Sequence, residues 1–258
     1  MKFISIANAK GGVGKTTTAV NMAAGLATLG KKVLLIDLDY QANATFACLE
    51  RNAEAPTIAD VLINDVNIKE AILPVSKNLD LLPSNIDLIG ADTKLSSQPG
   101  RDLVLSVALE GLDENSYDYV IADLPPNVGV MALNGMGASD LVIIPIQMEF
   151  YAMKSVNIII DLIKAVKARL NRRLAISGAL ATMFDSRNII CNTCLQEMRE
   201  SFKDLAFNTA IRSNVSLAVA PARGMNIFKH EPKSHGAQDY LDFCKEFLRR
   251  VGDQINVK

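Results

Sequence analysis

A glycine-rich segment near the start of the chain carries two lysines and three threonines at spacings suited to binding phosphate. Residues 8–18 read Asn-Ala-Lys-Gly-Gly-Val-Gly-Lys-Thr-Thr-Thr. They follow a β-branched, apolar run and precede a helical pattern, which is the context that a phosphate-binding loop requires. Glycines allow backbone N–H groups to point at an anion, and the start of the next helix adds a partial positive charge. The segment therefore predicts a nucleotide-phosphate site.

The side chains of this loop suggest separate roles. Lys15 is placed to reach the β- and γ-phosphates of a nucleotide, and the Thr16 hydroxyl is placed to bind Mg²⁺. The other nucleotide contacts are predicted at Gly11, Gly12, Val13, Gly14 and Thr17. Lys10 is a second lysine inside the loop, and a solvated surface lysine is one interpretation of it. We favour a lysine that reaches a phosphate bound to a neighbouring subunit, because the backbone already surrounds its own nucleotide.

Three aspartates follow apolar segments of strand length. Asp37 and Asp39 come after residues 33–36, and Asp123 follows residues 119–122. The carboxyl ends of parallel strands line the ligand crevice, so all three should lie near the phosphates. Capping of the next helix is the alternative for Asp37 and Asp39. A carboxylate at Asp123 is suited to hold the Mg²⁺ shell.

Apolar runs of strand length alternate along the chain with patterns of helical period. The predicted strands are residues 2–8, 32–37, 79–82, 117–122, 141–146, 174–183 and 207–211. The predicted helices are residues 16–29, 101–112, 127–138, 152–170, 188–205 and 236–251. Residues 50–98 carry the weakest pattern. The alternation predicts an α/β fold with a doubly wound, mostly parallel sheet flanked by helices, as one domain over residues 1–258.

The motif at residues 10–17, Lys-Gly-Gly-Val-Gly-Lys-Thr-Thr, resembles the deviant Walker A motif of P-loop ATPases in the ParA/MinD superfamily. The resemblance implies ATP and Mg²⁺ as cofactors and a weak ATPase that a partner stimulates. It also implies that Lys10 crosses the interface of an ATP sandwich homodimer. Residues 37–45 are similar to a ParA motif whose second aspartate positions the attacking water. Catalysis is thus implied for Lys10, Lys15 and Asp39, and metal binding for Thr16, Asp37 and Asp123.

Further segments resemble ParA motifs, namely residues 123–127, 144–149, 182–187 and 214–221. The last of these contains Ala-Pro and implies a nucleotide contact at Pro221. Tyr40 and Ala42 depart from the family, which has Pro and Gly at these places. The P-loop begins close to the first residue, so we expect no N-terminal helix-turn-helix domain. In this respect the chain is similar to the small ParA proteins of the Soj type.

The same resemblance implies a partition function. The ATP dimer would bind nonspecific DNA, and a ParB-like protein would stimulate hydrolysis to segregate a chromosome, a plasmid or another cargo. The candidate DNA contacts are Lys164, Lys167, Arg169, Arg172, Arg173, Arg212 and Arg223. Ser213 and Ser216 stand where family members often carry arginine, and Arg212 and Arg223 are the best substitutes. A solvated helix end is the alternative for residues 164–173.

The composition limits the other classes of function. The formal net charge is −1, so the molecule as a whole does not attract nucleic acid. Hydrophobic residues make up 49% of the chain and charged residues 21%, which excludes a disordered protein. Four cysteines do not form a disulfide framework, and no signal peptide or transmembrane run is visible. We therefore expect a cytoplasmic protein, and the partition function that the resemblance implies adds association with the nucleoid.

Two other functions found in the superfamily are alternatives. A MinD-like membrane role would use a C-terminal amphipathic helix, but the tail at residues 247–258 is short and is broken by Gly252. An Mrp-like iron–sulfur carrier would use Cys191 and Cys194 in a four-cysteine site between subunits. These cysteines fall on a predicted helix, where packing as small apolar residues is the simpler interpretation. We favour partition, without a membrane partner.

Overall fold

The computed structural model describes residues 1–49, 56–113, 115–150 and 152–254 of the chain. Its strands are β1 (Lys2–Ile6), β2 (Val33–Asp37), β3 (Leu73–Ser76), β4 (Leu79–Leu82), β5 (Tyr119–Asp123), β6 (Leu141–Gln147), β7 (Ala175–Phe184) and β8 (Ala206–Arg212). They form one sheet in the order β3-β4-β2-β5-β1-β6-β7-β8. Neighbouring strands are parallel, except that β3 and β4 are antiparallel. The predicted doubly wound, mostly parallel sheet is confirmed.

Helices cover both faces of this sheet. They are α1 (Lys15–Thr28), α2 (Asn43–Leu49), α3 (Ile58–Ile63), α4 (Ile68–Ala71), α5 (Leu88–Ser96), α6 (Val104–Leu109), α7 (Val130–Ala138), α8 (Ala152–Arg169), α9 (Ile189–Phe202), α10 (Val215–Ala222), α11 (Ile227–His230) and α12 (His235–Arg250). A 3₁₀ turn, Lys203–Leu205, follows α9. No helix in the described ranges combines the length and the apolar character that a membrane span needs.

Two apolar cores explain why the central strands carry unbroken apolar runs. Every residue of β2 and β5 is buried. Ile36 and Val120 join the core under α3 to α9, and Leu35 and Ile121 join the core under α1, α2, α10, α11 and α12. A strand that is covered on both faces needs apolar side chains at successive positions. The parallel arrangement also gathers the strand C-termini at one side, here called the carboxyl edge, and the N-termini at the opposite amino edge.

The short elements differ most from the sequence expectation. The antiparallel edge strand β3 and the helices α2, α10 and α11 were not predicted, and α3 to α5 fall in residues 50–98, where short helices are expected without definite bounds. The helix expected at 101–112 covers only Val104–Leu109. These elements are short, and none of the helices among them reaches three turns. Tertiary packing therefore determines whether they form, because so few residues carry too little periodic pattern. Helix α3 begins with a capping box, in which Thr57 and Asp60 bond to each other's backbone N–H groups. Such a box fixes where a short helix begins.

Helix α12 covers the outer edge of β8 with two carboxylates. Glu246 accepts hydrogen bonds from the backbone N–H groups of Asn208, at 2.8 Å, and Thr209, at 2.9 Å. Asp239 accepts from the backbone N–H of Arg212 at 2.9 Å and also pairs with its guanidinium. These acceptors satisfy N–H groups that an edge strand would otherwise present to another chain.

Glu246→Gln is expected to lower the free energy of unfolding at pH 7 by about 2 kcal/mol, because charged acceptors of buried N–H groups are worth that much. Burial raises the pKa of Glu246, but hydrogen bonds from Asn208, Thr209 and Arg250 outweigh it and hold the pKa below its usual range. The stabilisation is therefore present above the unfolded-state pKa and is lost as the pH falls through the folded-state value.

Denaturant unfolding between pH 3 and pH 7 measures this effect. The gap between wild type and Glu246→Gln should narrow as the solution becomes acid. Glu197→Gln, a change at an exposed position on α9, serves as the control and should stay within about 0.5 kcal/mol of wild type. A gap that stayed constant across this pH range would contradict the assignment.

Candidate active site

The glycine-rich loop lies at the carboxyl edge between β1 and α1. Gly12 has φ 77° and Gly14 has φ 89°, left-handed conformations that favour glycine. Gly14 is the N-cap of α1 and supplies no side-chain hydrogen bond to the first turn. The first N–H groups of a helix have no acceptor within it, and the helix dipole is positive there. The loop and the open start of α1 thus form an anion cradle, as the sequence predicts.

Lys15 lies at the floor of this cradle. Its side chain is buried, and its Nζ donates to the backbone oxygen of Lys10 at 2.9 Å. Burial lowers the pKa of Lys15, while the charges of Asp123 and Asp39 oppose that shift. A buried ammonium that lies beside free N–H groups is a strong ligand for phosphate oxygens. The structure therefore supports the phosphate role predicted for this lysine.

Asp123 ends β5 directly below the first turn of α1. The Thr16 hydroxyl donates to Asp123 Oδ2 at 2.6 Å. The other oxygen, Oδ1, is buried and has no hydrogen-bond partner in the described structure. Burial and the neighbouring charge of Asp37 raise the pKa of Asp123 well above its usual range, against a smaller opposing effect of Thr16. A buried carboxylate with one free oxygen is suited to accept a metal ion.

A magnesium ion fits these donors. Hydroxyl and carboxylate oxygens are the ligands that Mg²⁺ prefers, and the ion usually takes one or two of them together with substrate phosphates. The described residues contain no group of three His, Cys, Asp or Glu side chains that could hold a metal by themselves. Thr16 and Asp123 would therefore hold the ion only together with a nucleotide. When bound, Mg²⁺ neutralises charge that develops on the transferred phosphoryl group.

Asp37 and Asp39 lie beside Asp123 but have different surroundings. Asp37 pairs in register with Asp123 on the adjacent strand, and its Oδ2 accepts both the N–H and the hydroxyl of Thr45 at 2.8 Å. Its Oδ1 accepts the N–H of Asp39 at 3.1 Å. Burial raises the pKa of Asp37 to about 6. Both oxygens hold the loop that carries Asp39, so a direct metal contact by Asp37 stays a prediction.

The side chain of Asp39 accepts fewer hydrogen bonds than the side chain of Asp37. It is 7% exposed, and its Oδ1 accepts only the backbone N–H of Gln41, at 3.0 Å, among the described contacts. Its second carboxylate oxygen, Oδ2, accepts no hydrogen bond among these contacts. An aspartate that lies on a fixed loop with one free oxygen is suited to hold a water near the γ-phosphate. The water-positioning role of Asp39 stays a prediction.

Two buried polar residues tether the loop, and neither has a role that is predicted from the sequence. Asn8 donates from Nδ2 to Pro145 O at 2.7 Å and accepts the N–H of Lys10 at 3.0 Å. Thr182, at the end of β7, donates from Oγ1 to Val13 O at 2.8 Å. The available signal was that each follows an apolar strand and so reaches the carboxyl edge.

Replacement of Thr182 tests one of these tethers. Thr182→Val removes the hydroxyl at nearly constant volume and leaves Val13 O without that donor. We expect KM for ATP to rise about fivefold with a smaller change in kcat, since one neutral hydrogen bond is worth about 1 kcal/mol. Thr182→Ser keeps the hydroxyl and should restore KM. Steady-state ATPase assays on the three proteins decide the matter, and an unchanged KM in the valine variant would count against the tether.

Lys10 lies at the rim of the cradle and is held by the end of β6. Its Nζ forms an ion pair with Glu149 Oε1, and the two side chains are 39% and 36% exposed. Its backbone is held to the same strand through Asn8 and Pro145. The charged group is thus partly exposed at the rim, where Glu149 holds it.

The two cysteines of α9 line the back of the Glu149 segment. Both are buried, and their thiols donate to Met148 O at 3.1 Å and Glu149 O at 3.3 Å. Burial and the nearby charge of Glu197 raise the pKa of Cys194. Packed thiols with internal acceptors agree with the simpler interpretation of Cys191 and Cys194.

The other predicted site residues lie outside the cradle. Arg172 and Arg173 follow α8 at the amino edge, where Asn171 donates to Ser139 O at 2.6 Å. The exposed side chains of this basic group are Lys164, Lys167, Arg169, Arg172 and Arg173. At the opposite edge, the Arg212 guanidinium pairs with Asp239 at 2.6 Å.

Two residues of the α10 region complete the predicted set. Pro221 lies in the last turn of α10, and the next residue but one, Arg223, is exposed. Helix α10 packs against α2 and α11. A base contact by Pro221 and a DNA contact by Arg223 both stay predictions.

Comparisons with known proteins agree with this geometry. A family model described as an AAA domain, AAA_31, matches residues 1–176. The sporulation initiation inhibitor protein Soj of Bacillus subtilis is 40% identical over 247 residues, which cover 95% of this chain and 97% of that protein. The chromosome-partitioning ATPase Soj of Thermus thermophilus is 40% identical over 251 residues, 97% of each chain. The solved structure of cobyrinic acid a,c-diamide synthase from Mycobacterium smegmatis, with an ATP analogue and magnesium, is similar with a TM-score of 0.85, 33% identity and coverage of 98% and 96%.

Fold, cradle and comparisons together define a class. The chain is a P-loop ATPase of the deviant Walker A type, and its cofactors are ATP and Mg²⁺. Lys15, Thr16 and Asp123 lie together in the cradle, and their roles toward phosphate and metal stay predictions. The chain belongs to the Soj/ParA family of partitioning ATPases within the ParA/MinD superfamily.

Proposed function

We propose that this ATPase dimerises around ATP, binds nonspecific DNA as a dimer, and segregates a chromosome, plasmid or other cargo with a ParB-like partner. The observation that carries the proposal is the accessible ammonium of Lys10 at the mouth of the cradle. Lys10 cannot serve its own phosphates while it is paired with Glu149 at the rim. A nucleotide on a second subunit is the target that its position favours.

Exposed apolar side chains around the cradle support a homodimer at the carboxyl edge. They lie at or after the ends of β2, β5, β6, β7 and β8, and they are Tyr40, Val128, Phe150, Met183, Ile189 and Val215, each between 40% and 81% exposed. Large apolar residues scattered singly on a surface are ordinary, but a ring of them at one edge indicates an interface. A second copy seated here would bring Lys10 toward the partner's nucleotide.

The basic residues suggest how a dimer would gain affinity for DNA. The group from Lys164 to Arg173 lies at the amino edge, far from the proposed interface. Within the described residues, only Lys164 of this group has an ion-pair partner, Asp161 at 3.5 Å. Each dimer would carry two such groups at its outer ends. Two linked weak sites bind one polymer far more tightly than one site does, so ATP would control DNA binding through dimerisation.

DNA retention with ATP, with ADP and without nucleotide tests the proposal, at low and moderate salt. ATP-dependent, sequence-independent and salt-sensitive retention is the expected result. Sedimentation in the same three states reports the dimer. Dimers that form with ATP yet retain no DNA would reject the DNA part of the proposal and leave the ATPase cycle intact.

The salt dependence also separates the candidate contacts. Replacement of both Arg172 and Arg173 by Ala removes about four phosphate contacts from a dimer and should lower the slope of log affinity against log salt by about 3.6, or about 0.9 for each lost contact. Arg212→Ala should leave the slope nearly unchanged, because Asp239 already neutralises that guanidinium. If Arg212→Ala lowered the slope of log affinity against log salt by one unit or more, the DNA surface would instead lie at the carboxyl edge.

The partner and the location follow from the same proposal. Hydrolysis by the isolated ATPase would be slow, and a ParB-like protein would accelerate it and so release the dimer from DNA. The relatives named for chromosome partitioning support this assignment. A protein that cycles on and off bulk DNA would be cytoplasmic and associated with the nucleoid.

The two alternatives have less support in the contacts. Phe247 and Leu248 on α12 are fully buried in the core, so they offer no apolar face to a membrane. Residues 255–258 of the tail lie outside the described residues. Cys191 and Cys194 face backbone oxygens inside the protein, where a cluster between subunits would need their sulfurs at the surface. Flotation with anionic vesicles and an iron assay on anaerobically purified protein test the two alternatives.

A further inference from the structure

A groove of about 870 Å³ lies on the α1 and α12 side of the sheet, away from the nucleotide cradle. Its walls come from the C-terminal half of α1, the turn between β3 and β4, the start of α11, and the middle of α12. Ala27 of α1 is 12 residues from Lys15, so the groove lies about 18 Å along that helix from the phosphate site. We refer to it as the lysine groove.

The floor of the lysine groove is apolar. Small residues of α1, Ala24 and Ala27, leave the depression open, and Leu29 extends it toward the amino edge. Phe228 and Leu241 form the opposite wall and are only partly buried against the core. Apolar side chains that line a concave surface favour a ligand that inserts an apolar group of its own.

The rim of the groove is cationic. Lys77, Lys229 and Lys245 line it, and no Asp or Glu is among its lining residues. Among the described residues, Lys77 and Lys229 have no ion-pair partner, while Lys245 lies 3.7 Å from Asp242. In a protein whose net charge is −1, three lysines gathered around one apolar groove are a local concentration of positive charge. Their complement is an anionic ligand with an apolar anchor.

We propose that the lysine groove docks an acidic segment of a partner protein, with carboxylates at the three lysines and one large apolar side chain on the alanine floor. A DNA duplex presents phosphates on a convex surface about 20 Å wide and carries no apolar group to fill the floor. A flat lipid surface has the same difficulty with a concave site. An extended acidic peptide meets both demands. The groove shares no lining residue with the cradle or the proposed dimer interface, so docking is compatible with either nucleotide state.

A random library of twelve-residue displayed peptides, panned on the full chain with ATP and Mg²⁺, provides the probe. Enriched peptides are expected to be net acidic and to contain a large apolar residue. Their affinity is then measured on a variant with Lys77→Glu, Lys229→Glu and Lys245→Glu. Reversal of the three positive charges at the rim should weaken binding of an acidic peptide by roughly tenfold or more. A control with Lys32→Glu, Lys94→Glu and Lys203→Glu reverses three exposed lysines elsewhere and should change it less than about twofold.

A second variant keeps the charge and blocks the floor. Thr28 is exposed and lines the groove, so Thr28→Trp should fill it without disturbing the core and should also reduce peptide binding about tenfold. ATPase activity should match wild type in both groove variants, which confirms that they fold. Enriched peptides without excess acid, or equal binding to wild type and to both groove variants, would overturn the proposal. Loss of duplex DNA retention with peptide binding intact would assign the lysines to DNA instead.

Discussion

Asp39→Ala is expected to bind ATP, to accumulate as a dimer and to lose ATP hydrolysis by about a hundredfold or more, as when a positioned polar group is removed from the reacting water. The structure gives the reason. Asp39 is held on a fixed loop through Asp37 and Gln41 and keeps one oxygen free beside the cradle. Lys15 and the loop N–H groups are the predicted phosphate ligands, and loss of a nearby negative charge does not remove any of these donors, so the change should spare nucleotide affinity.

Single-turnover hydrolysis and sedimentation with ATP measure the two halves of this prediction. Asp92→Ala is a suitable control, because that residue lies near the Asp39 loop but outside the cradle. It should retain turnover and show the dimer only transiently. An Asp39→Ala protein that stays monomeric with ATP would contradict the assignment, and one that hydrolyses at the wild-type rate would remove Asp39 from the reaction.

The outline of the cradle was predictable because local rules determine it. Apolar β-branched runs gave β1, β2, β5, β6 and β7, and the glycine pattern gave the loop and the start of α1. Parallel strands then bring Thr16 and Asp123 together although they are 107 residues apart, a contact confirmed at 2.6 Å. The same rules do not reach the short elements between β2 and β5, whose few residues are ordered by what they pack against.

The tertiary partners of individual polar residues were not predictable. Arg212 reads as a free cation in the sequence, yet α12 returns across β8 and places Asp239 against it. Thr45 and Thr182 fall in segments that resemble family motifs, but the sequence does not show that their hydroxyls hold Asp37 and Val13 O. Such pairings depend on the final angle at which a helix crosses a strand, which no residue pattern near either partner encodes.

Lys10→Ala should abolish ATP-dependent dimerisation and reduce turnover by at least about tenfold, because the proposed contact with the second nucleotide would be lost. ATP binding to the monomer should survive, since Lys15 and the loop N–H groups form that part of the cradle. Sedimentation and ATPase assays at matched protein concentration test both statements. Unchanged turnover in this variant would end the trans role of Lys10.

Glu149→Gln should act in the opposite direction and so separate the trans role from simple damage to the loop. Lys10 must leave Glu149 before it can reach a second nucleotide. An ion pair this exposed is worth about 0.5 kcal/mol, and two of them break for each dimer, so their removal should tighten dimerisation by about fivefold.

Asp113→Asn supplies the control for Glu149→Gln. It breaks the exposed pair with Lys69 at the amino edge, away from the proposed interface, and should leave the dimer constant unchanged. A Glu149→Gln protein that dimerised more weakly than wild type would show instead that Glu149 orients Lys10 toward the partner subunit. In both outcomes the carboxylate at the end of β6 decides when the lysine of the glycine-rich loop becomes available, which connects the end of one strand to the assembly of two subunits.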